Sequence, residues 1–386
     1  MKNFSKILGL AILTASIVST FSCSNDDDNE DTGHQNVFVA NPTNLKGEIP
    51  SGDNIVLDGD YDLTGALIVG NGATLTIKKG TEIMASSTAT TNGVIPYIVV
   101  AQGGKIFVEG TSTEPVVMTA DNSAPGSWGG LVICGKAKIN KGATAQAEVS
   151  GLTYGGNDDT DSSGSIKYLR LEYTGYLYSA DKEFNAVSFF GVGSGTVVEY
   201  VQSYNGSDDA FEWFGGTVNA KYLVSINDDT SIAGDDIFDW TEGWTGNVEY
   251  LYGKRTNNGN RGIEADNNSN NQAATPISFP HINKITLVGN SAGSENQAIK
   301  LRVGTKVYLN DVVLSNWGTG IDVQSAPDLS ASFVGGDIKL ENVKFDNVIT
   351  QSTANATSAY TTNASATGAG NGTAKPTWAQ GWTVGF

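Results

Sequence analysis

Asp208, Asp209, Glu212, Asp235, Asp236, Asp239, Glu264 and Asp266 crowd one stretch of the chain, interleaved with Trp213, Phe214, Trp240 and Trp244. Carboxylate oxygens are hard ligands for calcium, and aromatic rings beside polar groups suit the faces of sugar rings. Paired carboxylates also cleave glycosidic bonds by general acid and base catalysis. Residue types alone equally allow a plain solvated acidic surface. What separates these readings is whether the backbone stacks the acids or disperses them.

The elements that carry them are short strands. From Val37 onward the apolar residues alternate at period 2 and never recur at helical spacing for three turns. Asn54-Ile55-Val56-Leu57, Thr74-Leu75-Thr76-Ile77, Tyr97-Ile98-Val99-Val100 and Lys105-Ile106-Phe107-Val108 are typical. Aliphatic anchors then repeat at Leu169, Val201, Leu223, Leu251, Ile285, Val312 and Val343, with spacings of 32, 22, 28, 34, 27 and 31. A second column superimposes the segments around Phe211, Phe238, Ile263, Ile299 and Ile321. Two columns at one coil-length period predict an all-β, right-handed parallel β-helix, a solenoid forming a single domain over 37–386. Propeller blades would be longer and more uniform, and a sandwich would not repeat one strand seven times.

That register gives each side chain a direction. With the second-column anchors inward, Glu212, Asp239, Glu264, Lys300 and Asp322 point outward from successive coils, stacked about 4.8 Å apart. Arg261 stands where it neutralises Glu264, with Asp266 close by. Asp209, Glu212, Asp236 and Asp239 remain as a four-carboxylate patch without a basic neighbour, the expected metal ligands, with calcium the expected ion. Trp213 and Trp240 are expected in the core, and Phe214 and Trp244 as walls of a ligand site.

Composition narrows the field further. Against 23 Lys and Arg stand 41 Asp and Glu, a formal charge of -18, so nucleic acid is not an expected partner. Cys23 and Cys134 allow no disulfide framework, and His34 and His281 allow no multi-His metal site. Cys134 reads as a small core residue.

Residues 1–22 carry Lys2 and Lys6, then an apolar run, then Ser22 directly before Cys23, the pattern of a signal peptide. The junction resembles the lipobox of bacterial lipoproteins, which implies acylation of Cys23. The acidic run Asp26-Asp27-Asp28-Asn29-Glu30-Asp31 resembles the surface-export signal of Bacteroidetes lipoproteins, and residues 23–36 read as a solvated tether. Cleavage would remove two Lys and no acid, taking the charge from -18 to -20.

Residues 45–140, with Gly72-Ala73-Thr74-Leu75-Thr76-Ile77 and Trp128-Gly129-Gly130-Leu131-Val132-Ile133, resemble the opening coils of bacterial right-handed β-helix proteins. Residues 205–268, with Asp208-Asp209-Ala210-Phe211-Glu212-Trp213-Phe214-Gly215-Gly216, resemble Bacteroidetes cell-surface β-helix lipoproteins of the pectate-lyase-like solenoid type. The resemblance implies an outer-membrane, surface-exposed protein beside an outer-membrane uptake complex; the acidic-aromatic face, without a complete catalytic constellation, points to capture of a carbohydrate or a calcium-dependent ligand. The alternative is a polysaccharide lyase or glycoside hydrolase on the same scaffold. Gly234-Asp235-Asp236 looks like the Asp-Asp element of β-helix glycoside hydrolases, but their Gly-His-Gly and Arg-Ile-Lys elements are missing. A lyase would draw its base from Arg255, Arg261, Lys300 or Arg302. Solenoid ends need covers: Val37-Phe38-Val39 and Leu45 are expected at the first, Trp378, Trp382, Val384 and Phe386 at the last. The Ser/Thr/Ala/Gly-rich stretch 352–375 reads as a loop.

Overall fold

Alternating aliphatics form strands here, and each strand finds its partner one coil away rather than in a hairpin. The computed structural model describes residues 38–386, apart from 180–181, 232–233, 294 and 325–335. The leader, Cys23, the tether and Val37 lie outside the described residues. Among the described residues, 24 strands join in one sheet, and the two remaining two-stranded sheets are antiparallel pairs. Strand neighbours in the large sheet run parallel, as in Phe211–Phe214 beside Phe238–Thr241. The fold is an all-β parallel β-helix, with one short α-helix, Ser87–Thr91, among the described residues.

Both columns pair as the spacing predicts. Leu169 pairs with Val201, then Leu223, Leu251, Ile285, Val312 and Val343 in succession. Phe211, Phe238, Ile263, Ile299 and Ile321 form the other row. All of these side chains are buried, so unequal spacing comes from loops that leave the pairing untouched.

The solenoid has three faces. The site face holds Val187–Phe190, Phe211–Phe214, Phe238–Thr241, Ile263–Ala265, Gln297–Leu301 and Thr319–Val323. The other two faces share long bent strands such as Val197–Tyr204, Asn219–Asn227 and Asn247–Arg255. We call the half before the bend the middle face and the half after it the tail face. The bend falls on Tyr168, Tyr200, Tyr222, Tyr250, Lys284, Asp311 and Asn342, all at φ between 50° and 66°. A left-handed conformation is costly for a non-glycine residue, and stacking offsets it. Tyr168, Tyr200, Tyr222 and Tyr250 stack at 4.2, 4.4 and 4.8 Å, and Lys284 lies 4.4 Å from the Tyr250 ring centroid. Tyr200→Ala keeps the strained backbone and loses both stacks. Urea titration is expected to show a loss on the order of 2 kcal/mol.

The C-terminal segment departs from expectation. Residues 363–386 do not cap the end; they run back along the tail face. Thr367 and Gly368 donate to Asp311 Oδ1, Tyr252 donates to the Thr373 carbonyl, and Arg170 donates to the Trp382 carbonyl. Gln202 pairs with both backbone groups of Val384, at 2.8 and 3.0 Å. Trp382 is fully buried in a cluster with Val224, Ile226 and Tyr252, edge-on to Tyr168 and Tyr200. Within the 352–375 stretch, residues 367–373 are therefore held by side chains of earlier coils, which satisfy their backbone groups. The last coil is covered instead by Tyr360–Thr362, paired to Ile338–Asp346. At the other end Leu45 is buried and Phe38 packs on the core, while Val39 is exposed.

Candidate functional site

On the site face, inward and outward positions alternate, and the register aligns Ser188, Glu212, Asp239, Glu264, Lys300 and Asp322 in one outward row. Beneath it lies an aromatic core: Phe211 stacks on Phe238 at 5.7 Å, and Trp213 on Phe189 at 5.6 Å. The acids are thus fixed on a rigid wall rather than on loops.

A second row lies at the corner entering each strand. Two residues before the inward anchors stand Asn185, Asp209, Asp236 and Arg261. Asp209 Oδ1 accepts the backbone N–H of Asp236 at 2.8 Å, and Asp236 Oδ1 accepts that of Arg261 at 2.5 Å. Each corner acid reads the next coil's backbone, so these carboxylates are part of the fold as well as of the site.

Asp209, Glu212 and Asp239 each place an oxygen within 4.8 Å of the others. Two further triads overlap this one, Asp208 with Asp209 and Asp235, and Asp236 with Asp239 and Glu264. The lower half of the row is compensated. Arg261 pairs with Glu264 and Glu295, Arg302 with Glu264, and Lys300 with Asp322. Arg302 also holds Asp266 through two bonds, at 2.8 and 3.0 Å. Among the described residues no ion pair reaches Asp209, Glu212 or Asp239. Glu212 instead accepts from Asn185 Nδ2 at 2.6 Å. Asn185 is 1 % exposed, and its Oδ1 has no partner; neither has Asp239 Oδ1.

Burial, and then mutual repulsion, pushes the carboxyls of Asp208, Asp209, Glu212 and Asp239 well above the usual range. Asp236 rises to about 7 through burial and the charges of Glu264 and Asp235, against the pull of Arg261. Glu264 is raised by burial despite its two arginines. An oxygen-only cluster with no ion pair to Asp209, Glu212 or Asp239 among the described residues fits a hard divalent cation, which would add positive charge there.

Asp209, Glu212, Asp236, Asp239, Arg261, Glu264 and Asp266 come together as the register implies. Trp244 does not join them: Glu242 and Gly243, both at positive φ, turn the chain inward, and Trp244 stacks on Trp213 at 4.4 Å in the core. Phe214 points outward but is covered. It stacks on Phe190 at 4.1 Å in a second cluster with Ile139, Tyr154 and Cys134. Cys134 is an inert core thiol there, pushed up to about 12 by burial. The patch is also less free of cations than its register implies. Arg261 Nη1 lies 3.6 Å from Asp236, and Arg255, 1 % exposed, feels Asp236, Asp209 and Asp235. Asn185 is the residue that sequence reasoning missed; the rule that places Asp209 reaches it when extended one coil toward the N-terminus.

No curated protein and no solved structure matches the chain. A family model does, the pectate-lyase-like β-helix domain, over residues 47–383. With that match covering most of the chain and the parallel coils in place, the protein belongs to the pectate-lyase-like β-helix domain family.

Proposed function

We propose that the protein is a binder: an outer-membrane lipoprotein, acylated at Cys23 and exposed at the cell surface, that holds calcium on its site face and captures a polyhydroxylated ligand there. One observation carries the reading. Asp209, Glu212 and Asp239 converge with no ion pair to any of them among the described residues, and the buried Asn185 binds Glu212 from the coil before. The triad's donors are all oxygens, the ligand type calcium takes. An outer-membrane uptake complex is the partner the lipoprotein pattern favours.

A lyase or glycoside hydrolase is the second reading. Against it, Arg261 and Lys300 are held by carboxylates. Burial pulls Arg302 down, but its hydrogen bond and charge pairing with Asp266 overcome this and push it above its ordinary value. Arg255 favours it: burial lowers that guanidinium to about 10, and its Nε and Nη2 are unpartnered, though it is sealed from solvent.

Titration calorimetry with calcium chloride separates the site from a solvated face. Wild type and Asp322→Asn are expected to bind; Asp239→Asn is expected to lose at least tenfold in affinity. Equal heats from all three would refute the site. New reducing or unsaturated ends after incubation with a polysaccharide panel would replace binding by catalysis. Cys23→Ala is expected to release the protein from membranes.

A further inference from the structure

The loops that carry the chain from the tail face to the site face stack coil upon coil, and they enclose a groove beside the acid cluster. A first lobe of about 370 Å³ lies among Ser87, Thr90 and Asn122. A second of about 550 Å³ lies among Leu177, Glu183, Ser207 and Gly234. Pro125, Gly126 and Tyr176 line both, so the lobes are two parts of one channel with Tyr176 at the join. Its lining comes from the loops before five successive site-face strands, those starting at Tyr97, Leu131, Val187, Phe211 and Phe238. At about 4.8 Å per coil the channel runs roughly 19 Å along the solenoid axis.

The floor is fixed. Gly126 and Ser207 both donate their backbone N–H to the Thr174 carbonyl, at 2.9 and 3.0 Å, and Ser207 Oγ donates to the Gly175 carbonyl at 2.7 Å. A Cβ at Gly126 or Gly175 would stand 2.8 or 2.4 Å from Ser207 Oγ, and both glycines are at positive φ. Only glycine lets the three loops approach this closely.

We propose that this groove binds a linear, uncharged oligosaccharide lying along the solenoid axis, with a sugar ring against Tyr176. The proposal names the ligand class for the binding reading above and rests on it. Hydroxyls, an amide, a proline and one aromatic ring line the channel, the mixture that recognises sugar rings. Among the described residues no Lys or Arg lines either lobe, and the second lobe reaches Ser207 and Gly234, each one residue before a carboxylate, Asp208 and Asp235. A polyanion entering there would meet Glu183 and that pair, while Arg255, the guanidinium that feels Asp235, is sealed from solvent at 1 % exposure. A peptide is disfavoured because strands on the site face are already paired on both sides by neighbouring coils, leaving no edge for it to join.

Protein produced from the full chain is titrated, with calcium present, with cellohexaose, xylohexaose, mannohexaose and hexagalacturonate. At least one neutral hexasaccharide is expected to bind and hexagalacturonate to fail. Tyr176→Ala is expected to weaken that binding at least tenfold, and Tyr176→Phe, which keeps the ring, to stay within threefold. Binding of hexagalacturonate, binding indifferent to Tyr176→Ala, or no neutral ligand at all would overturn the groove. The first two outcomes leave the protein a binder. Loss of the calcium heat in the same samples would instead strike the cation site.

Discussion

Replacing Glu212 by Gln and Asp239 by Asn together is expected to raise the melting temperature in calcium-free buffer and to abolish the stabilisation that calcium gives the wild type. Both carboxyls sit on a rigid wall with their neighbours within 4.8 Å, so repulsion is not relieved by splaying into water. A carboxyl whose folded pKa exceeds its unfolded one holds its proton more tightly when folded. Its contribution is fully present below the unfolded pKa and is lost as pH rises through the folded pKa. For Asp236 that window runs from 3.8 to about 7. Asp209, Glu212 and Asp239 move in the same direction. The calcium-free wild type should therefore lose stability as pH climbs from 4 toward and beyond neutrality, by about 1.4 kcal/mol for every tenfold difference in proton affinity between the folded and unfolded chain. Saturating calcium should flatten that fall, since an ion at one hundred times its Kd contributes about 2.7 kcal/mol. Differential scanning calorimetry across pH, with calcium or with chelator, reads all of this. A wild type whose melting temperature is indifferent to calcium, with a double variant no more stable, would reduce the row to a solvated face.

Trp382→Ala is expected to cost about 3–5 kcal/mol, the range for deleting a large buried aromatic side chain. The indole is fully buried, donates to the Trp378 carbonyl at 2.9 Å and meets Tyr168 and Tyr200 edge-on. Removing residues 377–386 should cost more. It uncovers the Val224, Ile226 and Tyr252 cluster and leaves the fully buried Gln202 without both of its backbone partners, a penalty of about 1–3 kcal/mol in itself. Phe386→Ala, at a position 38 % exposed, should be close to neutral. Guanidinium melts of the three proteins decide it; a neutral Trp382→Ala would mean the tail is not part of the folded unit.

The register of the coils was legible because period-2 alternation sends each anchor inward, whatever the loops between coils do. Glu212, Asp239, Glu264, Lys300 and Asp322 follow from Phe211, Phe238, Ile263, Ile299 and Ile321 by that rule alone. What escaped the rule is what covers an outward position. Phe214 points outward as the pattern says, yet the segment carrying Ile139 and Tyr154 folds over it. Asn185 belongs to a coil in which Val187 pairs with Leu131, 56 residues earlier, so its place in the column was hidden by an insertion. The tail was illegible for a different reason. Its Ser, Thr, Ala and Gly carry no pattern of their own, and the partners that hold it, Arg170, Gln202, Thr286 and Asp311, are spread over other coils.

A stack of coils in which each touches only its neighbours behaves as a one-dimensional array, free to fray from either end. The returning tail changes that dimensionality. Its bonds to Gln202 and Arg170 span 182 and 212 residues, tying the end of the chain to coils in the middle of the stack. A force applied at the C-terminus would first have to peel this clasp from the tail face before any terminal coil could unwind. The coils between Arg170 and Asp346 are thereby bound into one cooperative block, and the site face, which lies within that block, inherits its rigidity.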